Sequence, residues 1–183
     1  MKANLFFLIL VLFFSNGCKK DDNVPIFSPG KMTYGRMEAK KNGKNWIASS
    51  AAYNYDTIPS LFGLSASTFS TDGFLREDLV FNKIPKSTGK YVVSGPNNNV
   101  FDGFIGSSYH TAEDDGASED RWNVDEEATD NYIEVTFIDT VANKVQGTFT
   151  VSFNIATDGG KRNPANPDNV KFSKGTFEVE FIE

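Results

Sequence analysis

The sequence predicts an all-β protein, an antiparallel β-sandwich of about nine strands, with a β-barrel as the alternative architecture. Three observations carry this expectation. Several segments alternate apolar and polar residues with period 2, so that one face of each can be buried. No window shows an apolar stripe at 3.6-residue spacing, the mark of an amphipathic helix. Turn residues recur roughly every 8 to 14 positions between segments that share the chain's 17 phenylalanines.

The elements follow in chain order. Residues 1–17 stand outside the β pattern: Lys2, an apolar run from Leu5 to Phe14 and the small polar Ser15-Asn16-Gly17 lead to Cys18, the one cysteine. That run falls well short of the ~20 apolar residues a membrane-crossing helix needs. A basic residue before it and small residues after it make it a cleaved export signal. Residues 18–33 combine charges, prolines and glycine without apolar period and read as a flexible tether. One domain is expected over 34–183, a length that buries enough surface to need no disulfide.

Within that domain the expected strands are 35–40, 46–53, 60–69, 75–84, 90–94, 100–107, 132–139, 148–155 and 177–181. The clearest is Thr148 to Ile155, with Phe149, Val151, Phe153 and Ile155 on one face and Thr148, Thr150, Ser152 and Asn154 on the other. Asn42-Gly43 joins the first two strands, and both residue types tolerate the positive φ of a tight hairpin turn. A Gly-Thr-Phe-x-Val-x-Phe pattern occurs at Gly147 and again at Gly175. Two neighbouring strands meeting one core, each opened by a glycine that permits close backbone approach, explain it more simply than a repeat architecture, which needs three or more units.

Gly17-Cys18 and the short Lys19-Lys20-Asp21-Asp22 that follows resemble the lipidation site and export signal of Bacteroidetes surface lipoproteins. In that family the cysteine receives a diacylglyceryl group and becomes the acylated N-terminus. The resemblance implies lipidation of Cys18 and a membrane partner through that lipid. It also implies an outer-membrane location with display at the cell surface, the periplasmic face being the alternative. Two or more acyl chains would make such an anchor effectively permanent. The other reading of Cys18 is an unpaired thiol beside an ordinary cleaved signal. Gly35-x-Met37-x-Ala39-x-x-Asn42-Gly43-Lys44-x-Trp46, together with the two Gly-Thr-Phe strands, is similar to a group of small uncharacterised Bacteroidetes lipoproteins. That likeness implies fold and address and supplies no catalytic residue.

Charge and residue inventory narrow the function. A net charge of −6 argues against nucleic acid as a partner, since such binding rests on cations neutralising phosphates. His110 is the only histidine, so a multi-histidine metal site is excluded and any serine triad would have to use it. An exposed or hydrogen-bonded histidine near a strand end is the ordinary reading. No phosphate-cradling or dinucleotide glycine pattern is present; Asp158-Gly159-Gly160-Lys161 matches neither spacing.

The acidic stretch from Glu113 to Asp130 is the remaining source of chemistry. Asp114, Asp115, Glu119 and Asp120 are candidate calcium ligands, because calcium takes six to eight oxygens from such loops. The spacing lacks the EF-hand pattern, and an acidic loop that is merely solvated is the alternative. Paired carboxylates also keep a glycoside hydrolase in view, as does a calcium-stabilised adhesion role. For binding, Trp122, Tyr53 and Tyr55 are the candidate residues for a glycan, whose rings stack on aromatic faces. A surface protein is the other candidate ligand, and Trp46 is expected in the core. The loop 157–170 is too long for a simple hairpin and reads either as a recognition loop or as a disordered tip.

Overall fold

The computed structural model describes residues 34–95, 105–113, 117–158 and 161–182. The export signal over 1–17, Cys18, the tether over 18–33, Asp114 and Asp115 lie outside the described residues. Ten strands follow in order: β1(Gly35–Lys41), β2(Lys44–Asn54), β3(Leu61–Phe69), β4(Leu75–Pro85), β5(Gly89–Val92), β6(Gly106–Ala112), β7(Ser118–Val124), β8(Tyr132–Asp139), β9(Lys144–Ile155) and β10(Asn169–Ile182). Among the described residues no helix is long and apolar enough to cross a membrane.

Antiparallel pairings run from β1 to β2, β3, β4, β6, β7, β9 and β10, and from β10 back to β1. β8 pairs with the first part of β9 beside the β7 pairing, and β5 pairs with β8. The strands therefore belong to one ten-stranded sheet, where the sequence predicted two sheets. Alternation reveals which side of a strand meets the core but says nothing about which strand lies alongside. The sheet is mixed because β10 outruns β1: its last residues, Phe181 and Ile182, pair in parallel with Ala52 and Tyr53 of β2.

Strand directions define two ends. β1 begins, β2 and β10 finish, and the β8–β9 turn lies at one of them, here the entry end, because the chain joins the sheet there at Gly35. The turns β1–β2, β3–β4, β6–β7 and the long β9–β10 connection cluster at the other, the far end. Asn42 and Gly43 take φ of 48° and 82°, the paired positive values that a two-residue hairpin turn of this sequence requires. Asn42 also clips this turn to β10: its Oδ1 accepts from Lys171 N at 2.8 Å and its Nδ2 donates to Asn169 O at 3.2 Å.

The recurring Gly-Thr-Phe pattern has a structural cause. β9 and β10 pair with Thr148 opposite Thr176, which sets Gly147 opposite Phe177 and Phe149 opposite Gly175. Each phenyl ring lies over the partner strand's glycine, in space that a Cβ would occupy. Phe149 is fully buried and Phe177 nearly so. Aromatic rings over glycines fix register, since a slip of one residue would turn both rings to the opposite side of the sheet. A bulge between Phe172 and Gly175, with Lys174 at φ 53°, lets Phe172 and Phe177 both point inward despite their odd spacing.

Two strands depart from the sequence expectation. Of the strand expected over 100–107, residues 100–104 lie outside the described residues, and the described strand runs from Gly106 on to Ala112. Its inward side includes buried Ser107, whose hydroxyl donates to Val80 O at 2.7 Å; a satisfied serine takes a place that hydropathy reserves for an apolar residue. β7 was not expected at all. It lies inside the acidic stretch, and its inward residues are Asp120, Trp122 and Val124, so a carboxylate interrupts the apolar alternation. β9 is buried on both faces at Thr150 and Ser152, where Asn131 reaches over: its Oδ1 accepts from Ser152 N and its Nδ2 donates to Asp125 O.

Candidate functional site

The far end is assembled by the acidic residues of β7. Asp120 faces inward and is 2% exposed. Its Oδ1 accepts from Arg162 N at 2.7 Å, and its Oδ2 accepts from Asn163 N at 3.2 Å and Asn166 Nδ2 at 2.8 Å. Glu119 accepts from Asn163 Nδ2 at 2.8 Å through Oε1, and from Thr111 Oγ1 and Asn166 Nδ2, both at 3.1 Å, through Oε2. The β9–β10 connection is thus drawn down over β7. Burial pushes the Asp120 carboxyl pKa up, but the bonds from Asn166, Arg162 and Asn163, with Lys161 nearby, outweigh that and leave it below the usual carboxylate range.

This geometry corrects two expectations. Glu119 and Asp120 do not act as open calcium ligands: each of their four carboxylate oxygens faces an N–H or O–H donor, whose positive end opposes a cation. Among the described residues no cluster of three or more acidic, histidine or cysteine side chains is placed to hold a metal, while Asp114 and Asp115 lie outside that set. Trp122 offers no face for a sugar. It is 1% exposed, its ring 5.0 Å from Tyr109, and its Nε1 donates to Pro167 O at 3.0 Å, so it anchors the connection from beneath. The 161–168 segment is held to β7 by these bonds.

Under this cover a partly buried polar group closes the core. Lys41 Nζ pairs with Glu77 Oε1 and donates to Tyr109 Oη at 3.1 Å, while Trp46 Nε1 donates to Glu77 Oε2 at 2.5 Å. Trp46 is in the core, as expected, with its ring edge-on to Phe172 at 4.9 Å. Burial first, and then the Glu77 carboxylate, push the Tyr109 phenol upward. His110 lies on the outward side of β6, opposite Asp78 of β4 and Arg121 of β7. Asp78 Oδ1 accepts from the hydroxyls of Ser65 and Ser67.

Sequence reasoning missed two exposed large apolar side chains at the same end. Phe74 is 45% exposed in the β3–β4 turn, where its N–H donates to Ser70 Oγ and its carbonyl accepts from Ser70 N. Ile47 is 40% exposed on the outward side of β2, two residues before the Ser49–Ser67 pair; Phe69 lies two residues after that pair on β3. The signal was present: odd-numbered positions of β2 face outward, and an isoleucine among them is out of pattern.

Tyr53 and Tyr55 belong to the entry end, away from Trp122 and the acidic residues. Their rings meet edge-to-face at 5.7 Å, and both hydroxyls donate to Asn82 Oδ1, Tyr55 at 2.6 Å. Tyr53 covers Gly63 of β3, which leaves no room for a Cβ there. Burial raises both phenol pKa values above their ordinary value. Among the described residues the aromatic and acidic candidates therefore form two separate places. No family model, curated protein or solved structure matches the chain.

Proposed function

We propose that the protein is an exported lipoprotein, anchored at the outer membrane through Cys18, whose β body is a binding module for a glycan or a protein at the cell surface. The circuit of strand pairings supports a closed, barrel-like body over the sandwich. The observation that carries the binding reading is the far end itself. Asp120, Glu119 and Trp122 brace the polar segment 161–168 at the same end of the sheet as the turn that displays Phe74, the end opposite the chain's entry. A rigid loop cluster with an exposed aromatic side chain suits recognition, because little conformational freedom is lost on binding.

Two measurements test the parts separately. Mass spectrometry of the native protein is expected to find a diacylglyceryl-modified Cys18 at the N-terminus; an unmodified thiol would remove the anchor. Glycan-array screening and crosslinking on intact cells are expected to identify the ligand. Replacing Phe74 and Ile47 together by aspartate then weakens capture about 30-fold or more, the scale of losing a central aromatic contact. Capture at unchanged affinity would show that the far end is not the recognition surface.

A further inference from the structure

We infer that the entry end seats on the bilayer, with the β8–β9 turn in the headgroup layer and Val141 at its tip. This rests on the anchored reading of Cys18 and adds an orientation to it. Val141 is 95% exposed, the most exposed large apolar side chain among the described residues, and Ala142 beside it is exposed as well. The tip is not a loose loop. Asp139 Oδ1 accepts from both Val141 N and Ala142 N at 2.9 Å, Asn143 adopts φ 55°, and Asn143 O accepts from Phe181 N at 2.9 Å. An apolar pair is thereby held outward on a braced turn.

The occupant follows from where the chain joins the sheet. Tyr34, Gly35, Arg36, Lys144 and Glu180 line one recess of about 360 Å³, so the base of the turn and the point of entry are neighbours. Cys18 precedes Tyr34 by few enough residues that, at ~3.3–3.6 Å per extended residue, the entry end stays within roughly 60 Å of the lipid. One valine buries too little surface to hold a protein on a membrane from solution. A tether converts that weak contact into an intramolecular one at high effective concentration. Lys144 beside the tip suits the phosphates of the headgroup layer. The far end, with its braced loops, then faces away from the membrane.

The test uses the mature lipidated chain, in which a capped Cys18 leaves an introduced cysteine as the only free thiol. Val141→Cys and, at the far end, Thr71→Cys are each labelled with an environment-sensitive fluorophore. Both proteins are reconstituted into phosphatidylethanolamine–phosphatidylglycerol vesicles with and without brominated phosphatidylcholine. The label at 141 is expected to shift to the blue and be quenched about twofold, as an apolar tip lying ~5–10 Å into the interface would be. The label at 71 stays unquenched. If the protein floats with the vesicles yet 141 is unquenched, or if both labels are quenched alike, the seating is wrong and the anchor stands. If the protein fails to float, the anchor falls and the seating with it.

Discussion

Replacing Asp120 by alanine isolates the strut that holds the far end. The carboxylate accepts three hydrogen bonds, from Arg162 N, Asn163 N and Asn166 Nδ2, while 2% exposed. Bonds to an ionised acceptor contribute about 1.5–3 kcal/mol each. Removing the buried charge offsets part of that, since its desolvation costs several kcal/mol. A net loss of about 2–3 kcal/mol follows, which for a domain of this size lowers Tm by roughly 4–12 °C. Because the stranded donors reach water only when the connection lifts, amide exchange at Arg162 and Asn163 should accelerate about 30- to 150-fold, tenfold per 1.4 kcal/mol.

The pH dependence carries a definite sign. The folded-state pKa of Asp120 is depressed, so its contribution is complete above the unfolded value near 3.9 and is lost as pH falls through the folded value. Urea titrations of the wild type and Asp120→Ala should therefore differ by a constant amount from pH 7 to pH 5 and converge in more acidic solution. A difference below about 0.5 kcal/mol at pH 7, the size of an ordinary surface substitution, would refute the strut, as would unchanged exchange at Arg162 and Asn163.

Three glycine substitutions should rank by what the new methyl group meets. In Gly147→Ala it enters the Glu134 carbonyl and the Phe177 ring, and in Gly175→Ala the buried Phe149 ring, so each is expected to lose about 1–3 kcal/mol or more in chemical denaturation. Gly63→Ala meets only the outer atoms of the partly buried Tyr53 ring, with no backbone carbonyl and no fully buried ring in the way, and should cost less than either; the reverse order would refute the ring-over-glycine account. Tyr53 and Tyr109 have phenol pKa values raised chiefly by burial, so the folded state holds their protons more tightly and stability should fall as pH rises above about 10. Alkaline spectrophotometric titration should show Tyr53 and Tyr109 ionising together with unfolding, and Tyr109→Phe should reduce that late amplitude.

How much was legible in the sequence depended on how local the cause was. The β8 and β9 alternations, the Asn42-Gly43 turn and the core placement of Trp46 depend on neighbours within a few positions, and they read directly. β7 did not, because Asp120 sits inward on the strength of donors from Arg162, Asn163 and Asn166, far along the chain. The same partners turned the expected calcium ligands Glu119 and Asp120 into a loop strut, and Pro167 turned Trp122 from a candidate sugar platform into an anchor.

From the sequence alone came the all-β character, most strand positions, and the export and lipidation expectation, since each follows from short-range periodicity or a contiguous motif. Tertiary structure alone decided that the strands join in one circuit, that Gly147 and Gly175 each receive the other strand's phenyl ring, and that the tyrosine pair and the acidic residues sit at opposite ends. A strand's pattern specifies which side it buries. Its neighbours, and the partners of its polar groups, are chosen by contacts between residues distant in the chain.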